Sequence, residues 1–431
     1  MIRTYSHEIK PGKVLAMGWV ENIRIMGSLA FITLRDREGL MQVTLKKGDV
    51  PDEYFELVSN MNKEDCISVH GDAKKSSHSR LGIEIYPEKI EIVSKAETPL
   101  PIDTGAVKHT LKDKRFDYRF LDMRDPKIQA IFRIRDVIFT KMREYFENNR
   151  FIEIHTPVIQ AAGAEGGATL FGFNYYQHKA FLRQSPQLYK QIMMASGLDR
   201  VYEIGPAFRA EKFHTRRHVS EFISVDFEQA WIESEEDVMK TLEEMVHHVY
   251  KGVKKDCKTA LDILEIDPEI PKLPFKRFTY DEVLEALAKS GTKIKWGSDL
   301  EDADEKKFGE IAKKKGHEWY FIIKYPAEMK PFYIMAEQDG KYSRGFDLDC
   351  KGMELASGGQ REHRVNKLVE RMKAAELNSK DFNFYIDAFK YGMPPHAGIG
   401  LGGDRLVQQI VGMENIKETI LFPRTPEKVT P

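Results

Sequence analysis

Residues 1 to about 95 carry short runs of alternating apolar and polar residues, separated by turns. Alternation with a period of two is typical of strands that bury one face. The second and third runs flank Arg37-Glu38-Gly39, which indicates a hairpin. Such strands with one helix favour a small Greek-key barrel of the OB type. The pattern predicts strands over 14–20, 29–36, 40–45, 66–73, 82–86 and 90–93, and a helix over 54–61.

Beyond the break at Thr98-Pro99-Leu100-Pro101, apolar residues recur at helical spacing. Strands clustered among helices favour an α+β domain on an antiparallel sheet, not alternating βαβ units. Helices are predicted over 127–148, 185–197, 234–254, 279–290, 361–374 and 405–411, and strands over 151–154, 180–182, 200–204, 222–228, 319–324, 332–336, 345–349 and 353–357.

These changes of pattern predict two domains. We expect a barrel over 1–100, a hinge over 101–125 and the α+β domain over 126–431. Residues 107–125 are dense in charges of both signs, which is typical of a solvated hinge, with contact to a polyanion as the alternative. Residues 260–315 are rich in Lys, Glu and Asp and are expected to be an insertion.

Composition narrows the function classes. The 431 residues include 66 Lys and Arg against 67 Asp and Glu, so nucleic-acid binding would need local basic patches. A 42% hydrophobic content excludes wholesale disorder. The three cysteines lie far apart without metal-ligand spacing, which predicts reduced thiols. With no signal-peptide or membrane-spanning pattern in the sequence, we expect a soluble cytoplasmic protein without a membrane partner.

Three groups of residues are candidates for ligand binding or catalysis. Gly398 to Gly403 formally matches GxGxxG, but only 28 residues follow and no βαβ unit fits, so a dinucleotide site is disfavoured. We expect these glycines to let a strand approach a ligand, with Arg405 starting the next helix. Arg209 and Glu211 share one face of a strand, and a basic loop with Lys212, His214, Arg216 and Arg217 follows.

Arginines on such a strand and loop can clamp phosphates, with surface salt bridges as the alternative. The third group places Asp347, Glu354 and Ser357 on adjacent predicted strands. Oxygen ligands of this kind can hold Mg²⁺, with simple ion pairing as the alternative. The following Gly358-Gly359 indicates a tightly approached backbone.

Together these motifs resemble class II aminoacyl-tRNA synthetases. Phe208-Arg209-Ala210-Glu211 is similar to motif 2, Gly400 to Arg405 to motif 3, and the strand-ending Pro157 to motif 1. An OB-like domain ahead of them resembles the class IIb arrangement. The segments Gln184 to Gln191 and Ser357 to Arg361 look like those of the aspartyl-tRNA synthetases, in their shorter archaeal and eukaryotic form.

The resemblance spans essentially the whole chain. It implies an N-terminal OB-fold anticodon-binding barrel, a class II catalytic domain whose antiparallel sheet is flanked by helices, and a homodimer through the motif of Pro157. It also implies that ATP and Mg²⁺ activate L-aspartate to an adenylate, from which aspartate passes to tRNA(Asp), with tRNA(Asn) as a second acceptor left open.

By the same resemblance, Arg209 and Arg405 are the catalytic residues. Arg209 would bind the α-phosphate and the amino-acid carboxylate, Glu211 would read adenine, and Phe222 and Arg405 would enclose its ring. Asp347, Glu354 and Ser357 match the metal site. The remaining implied ATP contacts are Ala210, Arg217, His218, Val219, Glu354, Gly402, Gly403 and Asp404.

For the amino acid, Lys190 and Arg361 match the cations that hold the aspartate side chain. Asparagine would leave those charges unpaired, at a cost of about 100-fold or more. Glu165 resembles a loop carboxylate that closes over the substrate. The other residues implied for this site are Ser185, Gln187, Leu188, Tyr189, Asp226 and Ser357.

For tRNA, Phe31 and Gln42 match barrel positions that contact anticodon bases, and Arg80 is assigned to the same surface. A core position is the alternative for Phe31. Synthetases restricted to tRNA(Asp) tend to carry a histidine where Glu21 stands and a proline near Ser79-Arg80. These departures favour an enzyme that charges tRNA(Asn) as well as tRNA(Asp).

Three other functions remain open from sequence. They are an asparaginyl or lysyl specificity, a paralogue that makes asparagine or another amide, and a non-enzymatic nucleic-acid-binding module. The barrel argues against the second, and the full set of ATP-site motifs argues against the third.

Overall fold

The computed structural model describes residues 2–77, 79, 82–105, 110–161, 170–211 and 216–431. The chain folds as two compact units, Met1–Asp103 and Thr104–Pro431. Among the described helices, none is both long and apolar enough to cross a membrane. The sequence predictions for Arg80, Glu165, Lys212 and His214 lie outside the described residues.

The first unit is a closed five-stranded barrel, in the strand order β1-β2-β3-β5-β4. Along the second strand Ala30, Ile32 and Leu34 are buried, so the alternating pattern gives the barrel its core. The predicted runs 82–86 and 90–93 form one strand. The elements are β1 Gly12–Met26, β2 Leu29–Arg35, β3 Leu40–Lys46, α1 Asp52–Ser59, β4 Cys66–Lys75 and β5 Ile83–Ser94.

The second unit contains an eight-stranded mixed sheet and a small three-stranded sheet. Its helices are α2 Lys112–Asp117, α3 Arg119–Asp122, α4 Pro126–Asn148, α5 Gln187–Ile192, α6 Glu236–Asp256, α7 Lys258–Leu264, α8 Tyr280–Lys289, α9 Asp302–Lys314, α10 Val365–Ala374, α11 Asn383–Lys390 and α12 Gly403–Val411. Its strands are β6 Ile152–Glu153, β7 Ile159–Gln160, β8 Gly172–Tyr175, β9 His178–Leu182, β10 Arg200–Phe208, β11 Glu221–Ala230, β12 Lys276–Thr279, β13 Trp319–Ile323, β14 Gly345–Cys350, β15 Glu354–Gln360 and β16 His396–Gly402.

The large sheet has the order β12-β13-β14-β15-β16-β11-β10-β6. From β13 to β10 neighbouring strands are antiparallel, as predicted, whereas the edge strands β12 and β6 pair in parallel. Asp125 caps the N-terminus of the long helix α4, since its side chain accepts from Lys127 N, and Pro126 is in the first turn. Its apolar face joins α6 and the sheet in one core.

One predicted strand, 332–336, is absent. Phe332, Tyr333 and Ile334 are consecutive and all buried, where they join a core cluster that also contains residues of α10 and α11. Only isolated bridges involve the segment, from Ile334 to Arg361 and from Ala336 to Ser343. A short apolar run does not distinguish a strand from a buried turn, and here the turn packs better.

The prediction of a solvated hinge is wrong for residues 112–122. Arg115, Arg119 and Asp122 are buried within the second unit. Nε of Arg115 lies 2.7 Å from Asp122 Oδ1, and its Nη2 lies 3.1 Å from Glu418 Oε2. Because opposite charges neutralise one another here, three charged side chains are buried without an isolated charge, while Lys112, Lys114 and Asp117 of the same segment remain exposed.

The segment expected to be an insertion contributes both to the large sheet and to a core of its own. β12 is the edge strand beside β13, while α8 and α9 pack Val283, Leu287 and Phe308 together. The chain therefore returns from this segment directly into the sheet that carries the candidate site.

Candidate active site

A cavity of about 310 Å³ opens in the second unit, between the middle strands of the large sheet and the loops around them. Many predicted residues line it, although the motifs are far apart in sequence. They are Ser185, Gln187, Arg209, Glu211, Arg217, His218, Val219, Phe222, Asp226, Glu354, Ser357, Arg361, Gly402, Asp404 and Arg405.

Other predicted residues lie outside this lining. Leu188 is part of a hydrophobic core cluster, and the Tyr189 ring packs against Phe384 at 5.9 Å, so neither faces the cavity. Ala210, Gly403 and Asp347 are not in the lining either. Asp404 reaches the cavity wall, but its carboxylate is bound by Arg135 Nη2 at 2.7 Å and Ile223 N at 2.8 Å.

Lys190 is buried directly behind the cavity. Its Nζ lies 2.8 Å from Asp226 Oδ1 and donates to the carbonyl oxygen of Ile399 at 2.6 Å. Glu228 Oε2 lies 3.7 Å from the same nitrogen. The Asp226 carboxylate thus lies between a buried ammonium and the cavity that it lines.

Arg361 lines the cavity next to this ammonium. It binds Glu228 at two points, from Nε to Oε1 at 2.8 Å and from Nη2 to Oε2 at 3.1 Å. Burial alone would raise the pKa of Glu228, but the charges of Arg361 and Lys190 outweigh it and hold that pKa below its ordinary value. Two cations and two carboxylates, including Asp226, therefore form one buried cluster.

The glycines of β16 make room for this cluster. Gly398 pairs with Glu228 and Gly400 with Asp226 across the ladder between β16 and β11. A Cβ at Gly398 would lie 1.9 Å from Glu228 Oε2, so no other residue fits there. The GxGxxG-like run therefore serves as a strand over which carboxylates lie, consistent with the rejection of a dinucleotide fingerprint.

A cationic wall is formed by Arg209 just after β10, by β11 and by α12. Arg209 and Glu211 lie in the segment beyond the end of β10, so the prediction that they share a strand face is wrong. The Arg209 guanidinium stands 5.4 Å from the centroid of the Phe222 ring. Arg405 donates to the Glu354 carbonyl oxygen at 2.9 Å and lies 3.3 Å from Nε2 of His218. Burial, together with the charge of Arg405, lowers the pKa of His218. The wall carries fixed positive charge beside an aromatic face.

Arg217 reaches α9 from the far side of this wall. Its Nη1 donates to Glu305 Oε2 at 2.9 Å, and its Nη2 to the carbonyl oxygen of Gly352 at 3.0 Å. Burial and the charge of Glu354 raise the pKa of Glu305 to about 7, in spite of the nearby Arg217. Negative charge therefore accumulates at this end of the cavity.

Carboxylates on β14 and β15 explain this accumulation. Burial and the neighbouring Asp347 raise the pKa of Glu354, although Arg405 and Lys330 act in the opposite sense. Lys330 Nζ lies 2.8 and 2.7 Å from the two carboxylate oxygens of Asp347. Asp347 pairs with Ser357 across the ladder, so the three predicted oxygen ligands belong to neighbouring strands.

On the barrel, Phe31 is half-buried and alternates with the buried Ala30 and Ile32. Its ring therefore belongs to the outer face, and the core alternative is wrong. Gln42, also half-buried, donates to Glu84 Oε1 at 3.1 Å, and Phe31 pairs with Thr44, two residues after Gln42. Phe31 and Gln42 thus lie on one outer face of β2 and β3.

Comparisons with known proteins agree with this geometry. A family model described as tRNA synthetases class II (D, K and N) matches residues 111–426, and one described as OB-fold nucleic acid binding domain matches residues 14–93. The chain belongs to the class II tRNA synthetases. The match to the synthetase family covers both the residues that line the cavity and the strands of the large sheet.

The synthetase is similar along its whole length to two kinds of archaeal relative. It is 48% identical to an aspartate–tRNA(Asp) ligase of Pyrococcus abyssi, with 100% of both chains covered. It is 47% identical to an aspartate–tRNA(Asp/Asn) ligase of Methanopyrus kandleri, with 99% of both covered. Among solved structures, asparaginyl-tRNA synthetase from Pyrococcus horikoshii superposes with a TM-score of 0.94 at 32% identity, over 100% of both chains.

Sequence reasoning missed several residues of this synthetase site. Glu228 carried a weak signal, since it follows Asp226 by two positions on a strand and shares its face. Lys330, which lines the cavity, and Glu305, which binds Arg217 of the lining, belong to segments without a recognisable motif and could not be predicted. Gln191 and His396, behind Gln187, were also not singled out.

Proposed function

We propose that this synthetase activates L-aspartate with ATP and transfers it to the 3′ end of tRNA. The observation that carries the proposal is the pair of buried cations beside the cavity, Arg361 and Lys190. Asp226 and Glu228 balance these two cations until the substrate α-ammonium adds a third positive charge. The side-chain carboxylate of aspartate balances that charge, whereas a neutral amide leaves it unmatched. The names of the full-length archaeal relatives support the same amino acid.

We assign the substrate side-chain carboxylate to Arg361 and to the remaining donor of Lys190. An ammonium group has three donors, and two of those of Lys190 point to Asp226 and Ile399. Asp226, which lines the cavity, would accept from the substrate α-ammonium together with Gln187 and Ser185. Charge complementarity then binds both ends of the zwitterion.

ATP is assigned to the cationic wall. Arg209 would neutralise charge on the α-phosphate as the amino-acid carboxylate attacks it, which is positioning and electrostatic catalysis without a covalent enzyme intermediate. Phe222 and Arg405 would enclose adenine, and Glu211 would accept from its amino group. Arg217 and His218 would face the pyrophosphate that leaves.

The residues present fit Mg²⁺. Asp347 and Glu354 supply two carboxylates, and burial together with the charge of Asp347 raises the pKa of Glu354 even though Arg405 and Lys330 lie nearby, so an added cation would be favourable here. Two protein carboxylates suffice for Mg²⁺, which takes most of its ligands from phosphates and water. Bound Mg²⁺ would neutralise phosphate charge, and Ser357 would lie beside it.

We assign anticodon recognition to the barrel, through Phe31 and Gln42 and, on the family resemblance alone, Arg80. An aromatic ring on an outer strand face suits stacking with splayed single-stranded bases. We further propose that tRNA(Asn) is accepted beside tRNA(Asp). The support is Glu21, whose carboxylate is bound by the buried Arg35 and stands where restricted synthetases tend to carry a histidine.

We also propose a homodimer, on the resemblance of the region around Pro157 to motif 1. Pro157 is exposed within its unit, as an interface residue must be before assembly. Light scattering at micromolar concentration would give the mass of two chains, and a mass of 49.8 kDa would contradict the proposal.

The decisive experiment is ATP–pyrophosphate exchange with aspartate, asparagine and lysine, followed by charging of purified tRNA(Asp) and tRNA(Asn). We expect exchange with aspartate alone, and charging of both tRNAs. Exchange with asparagine but not aspartate would overturn the amino-acid assignment. Charging of tRNA(Asp) alone would overturn only the proposed charging of tRNA(Asn).

A further inference from the structure

A chain of buried polar side chains runs behind the cavity from His396 to Arg361. Nε2 of His396 lies 3.1 Å from Nε2 of Gln191. Gln187 donates from Nε2 to Gln191 Oε1 at 2.8 Å, and Arg361 Nη2 lies 3.4 Å from Gln187 Oε1. All four side chains are at most 4% exposed. The chain therefore connects a residue outside the cavity lining to two residues within it.

The donor-to-acceptor direction of these hydrogen bonds is fixed at the His396 end of the chain of side chains. Nδ1 of His396 lies 2.8 Å from the carbonyl oxygen of Pro394, which can only accept, so Nδ1 carries the proton. Burial lowers the pKa of His396 to about 4, so the ring is neutral and Nε2 keeps its lone pair. Gln191 must then turn its NH₂ group to His396 and its carbonyl oxygen to Gln187.

Tyr385, the other partner of Gln191, does not determine the orientation of the Gln191 amide. The Tyr385 hydroxyl lies 3.1 Å from Gln191 Oε1, but a hydroxyl donates or accepts equally well. The two ends of a glutamine amide have nearly the same shape, so packing does not distinguish them either. Within the chain, two groups break the symmetry: His396, held by the Pro394 carbonyl, and Arg361, which can only donate and reaches Gln187 Oε1 at the longer distance of 3.4 Å.

We propose that His396 is a positioning residue that acts through Gln191 to keep the carbonyl oxygen of Gln187 turned to the amino-acid subsite. Because the NH₂ group of Gln187 is used by Gln191, its Oε1 remains as the acceptor for Arg361 and for the substrate α-ammonium. A reversed Gln187 would present an NH₂ group to two cations. The inference rests on the proposed function, in which Gln187 contacts the substrate.

Two substitutions at one position test the proposal in the full-length chain. His396→Leu removes the acceptor, so only the longer contact from Arg361 is left to orient Gln187 and Gln191. We expect the KM for aspartate in ATP–pyrophosphate exchange to rise about tenfold, which is the effect of one hydrogen bond to a charged group. The kcat and the KM for ATP stay within about twofold. His396→Gln returns an amide that can place its oxygen near the position of Nε2 but can also reverse, so we expect a partial recovery, with a KM for aspartate between those of His396→Leu and wild type.

Tyr280→Phe is the control for lost stability, because it removes a buried hydrogen bond to the Ser298 carbonyl oxygen at 2.6 Å, outside the chain of His396. We expect it to leave the KM for aspartate unchanged. If His396→Leu does not fold, Gln191→Met interrupts the chain next to Gln187 and is expected to raise the same KM.

Histidine ¹⁵N NMR gives a readout independent of activity, with the His396 signal assigned by its loss in His396→Gln. We expect a neutral ring with the proton on Nδ1. A proton on Nε2 would overturn the inference, as would an unchanged KM for aspartate in a folded His396→Leu or Gln191→Met variant. Wild type without aspartate-dependent exchange would instead contradict the proposed function.

Discussion

The guanidinium of Arg361 and the carboxylate of Glu228 form a two-point ion pair whose side chains are 2% and 0% exposed. The pair stands over Gly398, and Lys190 adds a second cation to the same carboxylate at 3.7 Å. A buried charge costs several kcal/mol when its partner is removed, whereas an exposed one costs little. The cluster therefore contributes to the stability of the fold as well as to substrate binding.

Glu228→Gln tests the contribution of the cluster to stability. It leaves Arg361 and Lys190 with one countercharge fewer, so we expect the free energy of unfolding to fall by about 3 kcal/mol. Urea denaturation measures the change. The matched control is Glu414→Gln, which removes the partner of Arg216 in a pair 74% and 79% exposed, and should cost less than about 0.5 kcal/mol. Equal losses in the two variants would contradict the assignment.

The origin of this cluster also shows what sequence could and could not provide. The strand with Asp226 and Glu228 and the glycine run from Gly398 were both recognised, each from its own local pattern. Their juxtaposition depends on the ladder register that places Gly398 opposite Glu228, between segments about 170 residues apart. Local alternation predicts a strand but contains no information about its partner or register.

The prediction that residues 107–125 form a solvated hinge is wrong at Arg115, Arg119 and Asp122 for a related reason. Charge density alone indicates exposure, because a single buried charge is costly. Arg115 avoids that cost through Asp122 seven residues on, and through Glu418 near the C-terminus. A long-range partner is invisible to a local pattern, and the family resemblance did not reveal it either, because it was applied to the site motifs and not to this segment.

Lys190→Leu tests the amino-acid specificity. The ammonium beside Asp226 is replaced by an apolar group of similar size, so the substrate carboxylate loses a buried countercharge. We expect aspartate-dependent pyrophosphate exchange to fall by about 100-fold or more. ATP binding, measured by calorimetry, should persist because the cationic wall is untouched. A change of less than about threefold in the KM for aspartate would show that Arg361 alone provides the specificity.

Phe31→Ala tests the barrel face. The ring lies on the outer side of β2, so its removal should leave the buried core intact and change the unfolding transition little. Stacking of one base on an aromatic ring contributes about 1–3 kcal/mol, which predicts a rise of about 10- to 100-fold in the KM for tRNA. Pyrophosphate exchange without tRNA should be unchanged. Loss of exchange in parallel with charging would contradict an anticodon role.

The buried neutral ring of His396 makes a separate prediction about pH. Burial lowers its pKa from the ordinary 6.5 to about 4, so between these values the unfolded chain binds a proton that the folded chain does not. Stability therefore rises with pH across this range, and the contribution of His396 is complete above pH 6.5 and is lost as pH falls towards 4.

Between pH 7.5 and pH 5 the linkage amounts to about 2 kcal/mol. Other groups also titrate there, and Glu305, with its pKa raised to about 7, acts in the opposite direction. The measurement is therefore the difference between wild type and His396→Gln in urea denaturation at the two pH values. Wild type should lose about 2 kcal/mol more than the variant on acidification. Parallel losses would mean that the ring is already protonated in the folded chain near pH 6, and that Gln191 faces a donor instead of an acceptor.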